Sequence, residues 1–215
     1  MPTRKENRLV VEGYEDLHCV VELMQAHIEW ADDKDSAPVH IEIGKSATEI
    51  LEPGYLTAVL KTQGVRTTGI MLDADTSPRG RYDSLRNICL SMFPGLPTRC
   101  PDSGVITESP DNRRLGIWIM PDNVSDGSLE TFLKHLVPAD AQPLWKHAQA
   151  SVATARAMGA ECHDSHVEKA DLFTWLAWQD PPGQYPGRAL TKKVLDPHSP
   201  SAAPFVKWFR ELYGL

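Results

Sequence analysis

The first 137 residues alternate between two hydrophobic periods. Apolar residues recur at intervals of three and four over residues 17–28, which predicts an amphipathic helix. Apolar and polar residues alternate over 39–43, which predicts a half-buried strand. The same reasoning predicts strands at 9–11, 68–72 and 115–120, helices at 55–63, 82–92 and 128–136, a hairpin arm at 105–106 and a charged turn at 31–36.

Strands that alternate with helices are typical of an α/β fold. Because helical connections join parallel strands, we predict a mostly parallel sheet of about four strands with helices on its faces. Beyond residue 137 the strand signals stop, and helices are predicted at 139–158, at 166–179 and from Pro204 onward, with a Pro/Gly-rich loop before the last. We therefore predict an α/β domain over 1–137 and a helical C-terminal extension over 138–215 that packs on it.

Composition narrows the possible roles. With 22 Lys and Arg against 29 Asp and Glu, the net charge of −7 argues against nucleic-acid binding through a basic surface. No run of about 18 apolar residues is present, and residues 1–7 lack the apolar stretch of a secretory signal. We therefore expect no membrane span and a cytoplasmic location. The four cysteines form no C-x-x-C pair, which disfavours a four-thiolate zinc site.

Acidic residues stand at the ends of three predicted strands. The first strand ends at Glu12, the third at Asp73 and Asp75, and the fourth at Asp122. Ligand sites in open α/β sheets lie beyond the carboxyl ends of the strands. Residues two apart in an extended segment point to the same side, so Asp73 and Asp75 are expected to project together toward Glu12.

Carboxylates held close together repel, so some become protonated or a cation joins them. The hard cations Mg²⁺ and Mn²⁺ prefer oxygen ligands and commonly organise phosphodiester chemistry. An isolated Asp-x-Asp is nevertheless common, and an acid at a strand end often caps the following helix. The set of acids, with Asp16 close behind Glu12, favours metal binding over capping.

These two motifs resemble those of the Toprim domain. Its marks are a Glu-Gly at the end of the first strand, here Glu12-Gly13, and an Asp-x-Asp at the end of the third, here Asp73-Ala74-Asp75. The match covers about residues 8–136. The family includes type IA and type II topoisomerases, bacterial primases, overcoming-lysogenization-defect (OLD) nucleases and small ribonucleases that mature ribosomal RNA. The resemblance implies a Toprim-type fold and a Mg²⁺ or Mn²⁺ site.

The OLD branch offers a closer likeness. Its additional acid is matched by Asp16, its Ser-x-Glu by Ser128 and Glu130, and its late lysine by Lys169. This resemblance implies two-metal hydrolysis of DNA, in which Ser128 assists at the second metal and Lys169 stabilises the charge of the transition state. Glu12 is also implied in proton transfer. The implied metal ligands are Glu12, Asp16, Asp73, Asp75 and Glu130.

The chain departs from the OLD pattern because no ATPase motif is evident. Gly44-Lys45-Ser46 is similar to the end of a phosphate-binding loop, but Val39 stands where that loop needs its first glycine. We interpret this segment as a turn or helix start. A second hypothesis therefore stays beside the nuclease: a non-catalytic metal-binding, nucleic-acid-binding or regulatory module that works with a partner protein such as an ATPase.

Three arginines, Arg79, Arg81 and Arg86, follow the Asp-x-Asp motif and could contact a phosphate backbone, with a solvated surface as the alternative. A polar cluster at Cys162, His163 and His166 could bind metal, but a solvated helix start is favoured.

The sequence does not distinguish DNA from RNA as the substrate or endonuclease from exonuclease action, and it leaves the oligomeric state open. Core packing is favoured over base stacking for Trp118, Trp175, Trp178 and Trp208.

Overall fold

A five-stranded sheet lies between two layers of helices in the computed structural model, which describes residues 6–31 and 36–215. The strands are β1 (Asn7–Val11), β2 (His40–Ile43), β3 (Thr67–Asp73), β4 (Val105–Glu108) and β5 (Arg114–Met120). The helices are α1 (Tyr14–Gln25), α2 (Ala47–Ile50), α3 (Pro53–Leu60), α4 (Pro78–Cys89), α5 (Leu129–Lys134), α6 (Gln142–Ala157), α7 (Val167–Leu176), α8 (Pro186–Thr191) and α9 (Ala203–Tyr213). The core of the charged turn predicted at 31–36, and most of the N-terminal segment 1–7, lie outside the described residues.

The strand order is β2-β1-β3-β5-β4, and the first four strands in this order run parallel. This confirms the α/β prediction with a mostly parallel sheet. The predicted hairpin arm is β4, which pairs antiparallel with β5 at the edge of the sheet. The backbone N–H of Ser109 donates to the carbonyl of Arg113 at 2.8 Å, which closes the tight turn between these two strands.

Helices cover both faces of the central strands, which explains why β3 and β5 are almost continuously buried. Along β5, Trp118 faces one layer while Ile117 and Ile119 face the other. One apolar cluster joins the sheet to α2, α3 and α4. The other joins it to α1 and to α5 through α9, so most helices lie on this side.

The last helix, α9, ties the C-terminal extension to the sheet. The indole N–H of Trp208 donates to the carbonyl of Val105 at 3.0 Å, and the hydroxyl of Tyr213 donates to the carbonyl of Arg8 at 2.7 Å. Apolar residues of the extension share one core cluster with β1, β3 and β5. The boundary between residues 137 and 138 is therefore crossed by a common core.

Two local expectations were wrong. Residues 186–191, predicted as loop, form α8, because Pro186 occupies the first turn, where a missing N–H costs nothing, and Gly187 allows close packing on α1. Trp178 was expected in the core, but it follows the end of α7, is 43% exposed and stacks on His147. Trp118, Trp175 and Trp208 are buried as predicted.

In the parts of the chain that the structure covers, none of the helices has the length and apolar character needed to cross a bilayer.

Candidate functional site

Four carboxylates from different parts of the chain converge at the carboxyl edge of the sheet. Glu12 directly follows β1, Asp16 lies in the first turn of α1, Asp73 is the last residue of β3, and Glu130 lies in the first turn of α5. They line one cavity of about 320 Å³. The other lining residues are Gly13, Tyr14, Glu15, Lys45, Leu129 and Lys169.

Glu12 joins three elements at this edge. Its Oε1 accepts a hydrogen bond from the backbone N–H of Asp73 at 2.9 Å, and its Oε2 accepts one from the backbone N–H of Ala47 at 3.0 Å. These contacts connect the ends of β1 and β3 to the start of α2. The Glu12 side chain is thereby held in one orientation, and each oxygen keeps a further lone pair for another partner.

Asp73 is the acid whose protonation the site perturbs most. Its Oδ1 accepts a hydrogen bond from the backbone N–H of Leu129 at 2.9 Å, at the start of α5. Burial, and then the charges of Asp16, Glu12 and Glu130, raise the pKa of Asp73 to about 9.

Asp16, in the first turn of α1, is a buried acid. Its Oδ2 accepts a hydrogen bond from the backbone N–H of Gly13 at 2.9 Å. Burial raises the pKa of Asp16 to about 7, opposed by this hydrogen bond and reinforced by the charges of Glu12 and Glu130. The four acids therefore form one electrostatically coupled group, although they come from four segments.

Lys169, from α7, lies at the rim of this group. Its Nζ is 2.6 Å from Glu15 Oε2 and 3.3 Å from Glu130 Oε1. Burial lowers the pKa of Lys169, but the two glutamates outweigh burial and raise it, so the lysine keeps its proton. The hydroxyl of Ser128 donates to Glu130 Oε2 at 2.8 Å, so of the Ser-x-Glu motif Glu130 lines the cavity and Ser128 contacts it through Glu130.

Asp75 lies apart from the other acids. The strand β3 ends at Asp73, and Asp75 has a left-handed backbone, with φ of 52°, bridged to Gly127. The alternation that would have turned both aspartates to one side therefore does not extend to Asp75. Its carboxylate, 66% exposed, pairs with Arg81. Asp122 likewise turns away and accepts hydrogen bonds from Ser125.

The three arginines of α4 are engaged within the protein. Arg79 pairs with Asp83, and the guanidinium of Arg81 also donates to the carbonyl of Asp73 at 2.9 Å. Arg86 donates to the carbonyl of Pro97. Phosphate contact by these side chains stays a prediction.

Two charged residues of the cavity were not identified from the sequence. Glu15 was not distinguished from other surface acids, although its spacing from Glu12 and Asp16 places it on the same turn. Lys45 belongs to the Gly-Lys-Ser segment that was interpreted as a turn or helix start, and Ser46 does cap α2. Lys45 has a left-handed backbone, with φ of 75°. The sequence signal that could have identified Lys45 is its position directly after a strand, at the edge of the sheet where the acids of the other strand ends lie.

The donor set of the cavity suits a hard divalent cation, since it consists of carboxylate oxygens. Burial and, after it, the negative charge of neighbouring acids raise the pKa values of Asp16 and Asp73, and a cation in the cavity would offset that charge. Within residues 6–31 and 36–215, however, no three His, Cys, Asp or Glu side chains already stand in a ligating arrangement. The alternative cluster around His163 and His166 is included in that finding.

Comparison with models of protein families finds one match, over residues 6–214, described as "Protein of unknown function (DUF3226)". Neither the curated proteins nor the solved structures contain a significant match to this chain.

Proposed function

The chain belongs to the DUF3226 family, and we propose its function from the site itself: a Mg²⁺- or Mn²⁺-dependent phosphodiester hydrolase that acts on nucleic acid through a Toprim-type acidic site. The observation that carries this proposal is the convergence of Glu12, Asp16, Asp73 and Glu130 on one cavity, where burial and, after it, charge repulsion raise the pKa values of the two aspartates.

The positions of the motifs support the Toprim resemblance. Glu12 and Gly13 directly follow the first strand, and Asp73 ends the third, as that resemblance requires. Asp16 and Glu130, which the OLD branch adds, line the same cavity. Glu12 and Glu130 are 118 positions apart along the chain. The fold, and not the local sequence, therefore brings the acidic side chains to one cavity.

Asp16, Asp73 and Glu130, together with Glu12, would hold the divalent cations. Cations held there would supply Lewis-acid activation of a phosphoryl oxygen and of a water nucleophile. Asp73 and Asp16 would ligate a cation without their protons, because its positive charge would offset the burial and the neighbouring acids that raise their pKa values. Glu12 is held by two backbone N–H groups and is the group in position to accept a proton from water.

Two lysines supply positive charge at the rim. Lys169 is protonated and lies between Glu15 and Glu130. A small movement of its side chain would exchange a carboxylate partner for a substrate phosphate in the cavity. Lys45 is exposed, and its ion pair with Glu49 is long, at 3.7 Å, which leaves its ammonium group available. Both would stabilise the negative charge that develops on phosphorus-bound oxygens.

The second candidate is a non-catalytic module that works with a partner such as an ATPase. The observation that favours it is the engagement of the acids: both oxygens of Glu12 and both oxygens of Glu130 already have partners. An acidic site closed in this way would bind metal weakly, leaving activity to the partner.

The direct test is cleavage of labelled single-stranded and double-stranded DNA and RNA in Mn²⁺ or Mg²⁺ by the full chain. We expect metal-dependent cleavage that falls by at least about 100-fold in Asp73→Asn and Glu12→Gln, because each removes a charged ligand. Gel electrophoresis of the labelled products measures the rate of cleavage.

The matched control is Asp83→Asn, which removes an exposed carboxylate outside the cavity. It is expected to cleave like the unmodified chain. Asp75→Asn is expected to lose less activity than Asp73→Asn, because the Asp75 carboxylate pairs with Arg81 away from the cavity. Absence of cleavage with every substrate and metal, or equal cleavage by Asp73→Asn, would refute the hydrolase and favour the non-catalytic module.

A further inference from the structure

A second cavity of about 300 Å³ adjoins the acidic one, and its lining is mostly aromatic and apolar. We call it the aromatic groove. Its volume is at the lower end of the range for small-molecule sites, about 300–1,000 Å³, so it suits a group the size of one nucleobase. The groove is lined by Tyr14, Glu15, His18, Cys19, Tyr185, Pro186 and Gly187.

Packing of α8 on α1 builds the groove. Tyr14 and His18 are one helical turn apart on α1, so their side chains lie on the same face. Gly187 allows α8 to approach, because a Cβ atom there would lie 3.2 Å from the backbone of His18. This approach brings Tyr185, which directly precedes α8, to a ring-centroid distance of 5.7 Å from His18.

The rings of the groove are open to solvent. Tyr14 is 74% exposed and Tyr185 is 47% exposed. Exposed tyrosines are unusual as packing residues, since their apolar faces gain little by remaining in water. Two of them beside a histidine ring form a surface on which a flat ring can stack.

Tyr14 and Glu15 line both the aromatic groove and the acidic cavity, so the two are adjacent. We propose that the aromatic groove binds a nucleobase of single-stranded DNA or RNA while an adjacent phosphate of the same strand enters the acidic cavity. This inference rests on the proposed function, and it names the form of substrate that the site accepts.

Charge explains why the groove receives a base and not a phosphate. Glu15 is the one Asp, Glu, Lys or Arg among the groove residues named above, and its carboxylate pairs with Lys169, so the lining of the groove offers an anion no positive Lys or Arg side chain. A base is neutral and has two aromatic faces. For a chain of net charge −7, stacking supplies affinity that a basic surface supplies in other nucleic-acid-binding proteins.

Strandedness follows from the same argument. In a duplex the bases are stacked and paired inside the helix, and extracting one costs free energy. In a single strand the bases are free to stack on protein rings. The groove therefore favours single strands, frayed ends and unpaired loops over intact duplexes.

The test is binding of fluorescein-labelled ten-nucleotide strands, measured by anisotropy with Ca²⁺ and with EDTA. The strands are a DNA, an RNA, the corresponding duplex and an abasic strand with the same phosphates. We expect single strands to bind at least about fivefold more tightly than the duplex and the abasic strand. Tyr14→Ala and Tyr185→Ala should each weaken single-strand binding by about fivefold or more.

Tyr14→Phe and Tyr185→Phe retain the rings and are expected to bind like the unmodified chain. Trp178→Ala, which removes an exposed aromatic ring outside both cavities, is the matched control and should have no effect. Equal binding of the abasic strand, no detectable binding of any strand, or unchanged binding by both alanine variants would overturn the groove. Cleavage is measured separately. Single-strand binding that depends on the two tyrosines, without cleavage, would refute the hydrolase but retain the groove. Cleavage by a protein whose strand binding is unchanged in both alanine variants would support the hydrolase but refute the groove.

Discussion

At the scale of single residues, Asp73 occupies a position that is unfavourable for the stability of the metal-free fold but suited to the proposed metal binding. Its carboxyl group is surrounded by Asp16, Glu12 and Glu130, and burial removes the water that would screen them. In the absence of a cation this arrangement destabilises the folded chain whenever the acids are ionised. A bound divalent ion would convert the same charges into a stabilising set of ligands.

The first prediction concerns the pH dependence of stability. The folded-state pKa values of Asp73, about 9, and Asp16, about 7, lie above the ordinary value of 3.8, so these groups bind more protons in the folded state between these limits. Their contribution to the free energy of unfolding is full below about pH 4 and falls as pH rises toward 9, by at most about 1.4 kcal/mol per pH unit for each group. Urea denaturation across this range in EDTA should show the decline, and millimolar Mn²⁺ should reduce it.

Substitution of Asp73 checks the cause. Asp73→Asn keeps an oxygen that can accept from Leu129 and has no proton to take up on folding, so it should raise the free energy of unfolding in EDTA at pH 8 by about 1–2 kcal/mol. It should also abolish stabilisation by Mn²⁺. Asp75→Asn, an exposed position, is expected to change stability by less than about 0.5 kcal/mol. A destabilised Asp73→Asn protein would show that the carboxylate is satisfied without a cation.

At the scale of elements, two glycines determine how α9 covers the sheet. Gly69 in β3 and Gly116 in β5 are paired in register, which leaves a trough across the two central strands. A Cβ atom at Gly116 would overlap Leu212, and one at Gly69 would overlap the Tyr213 hydroxyl. The trough allows α9 to pack close to the sheet, with Trp208 and Tyr213 donating to strand carbonyls.

Gly116→Ala should therefore lower the free energy of unfolding by about 1–3 kcal/mol, since the added methyl group forces α9 away from β5. Thermal or urea denaturation measures the change. Gly54→Ala, in the first turn of α3, is the matched control because a Cβ atom there meets nothing within 4 Å. It should be neutral or slightly stabilising, by up to about 1 kcal/mol. Equal stability of the two variants would contradict this account of α9.

At the scale of the whole molecule, the α/β part and the C-terminal extension depend on one core. Trp118 in β5 packs against Phe205 and Trp208 of α9, with ring centroids 5.4 and 5.6 Å apart. The extension also contributes Lys169 to the acidic cavity and Tyr185 to the aromatic groove. Both proposed sites therefore require the part of the chain after residue 137.

We expect a fragment of residues 1–137 not to fold by itself, because one face of β3 and β5 would be exposed to water where α9 covers it. Circular dichroism with denaturation and the dispersion of amide signals in NMR would measure this. The full chain is the control. A soluble fragment that unfolds cooperatively would instead make residues 1–137 an independent domain.

The sequence by itself determined the α/β class, the parallel sheet and the convergence of Glu12, Asp16 and Asp73 at its carboxyl edge. It could do so because hydrophobic periods of two and 3.6 residues are local signals and because parallel strands bring their ends to one side. Burial of Trp118 and Trp208 followed from the same local patterns.

The tertiary structure alone decided which polar groups meet. Asp75 pairs with Arg81 because the chain turns left-handed after β3, and Lys45 reaches the cavity because α2 begins beside Glu12. The helix α8, whose composition is typical of a loop, is stabilised by packing on α1. Such contacts join residues distant along the chain, and no periodic pattern encodes them, since their energies depend on burial and approach that exist only after folding.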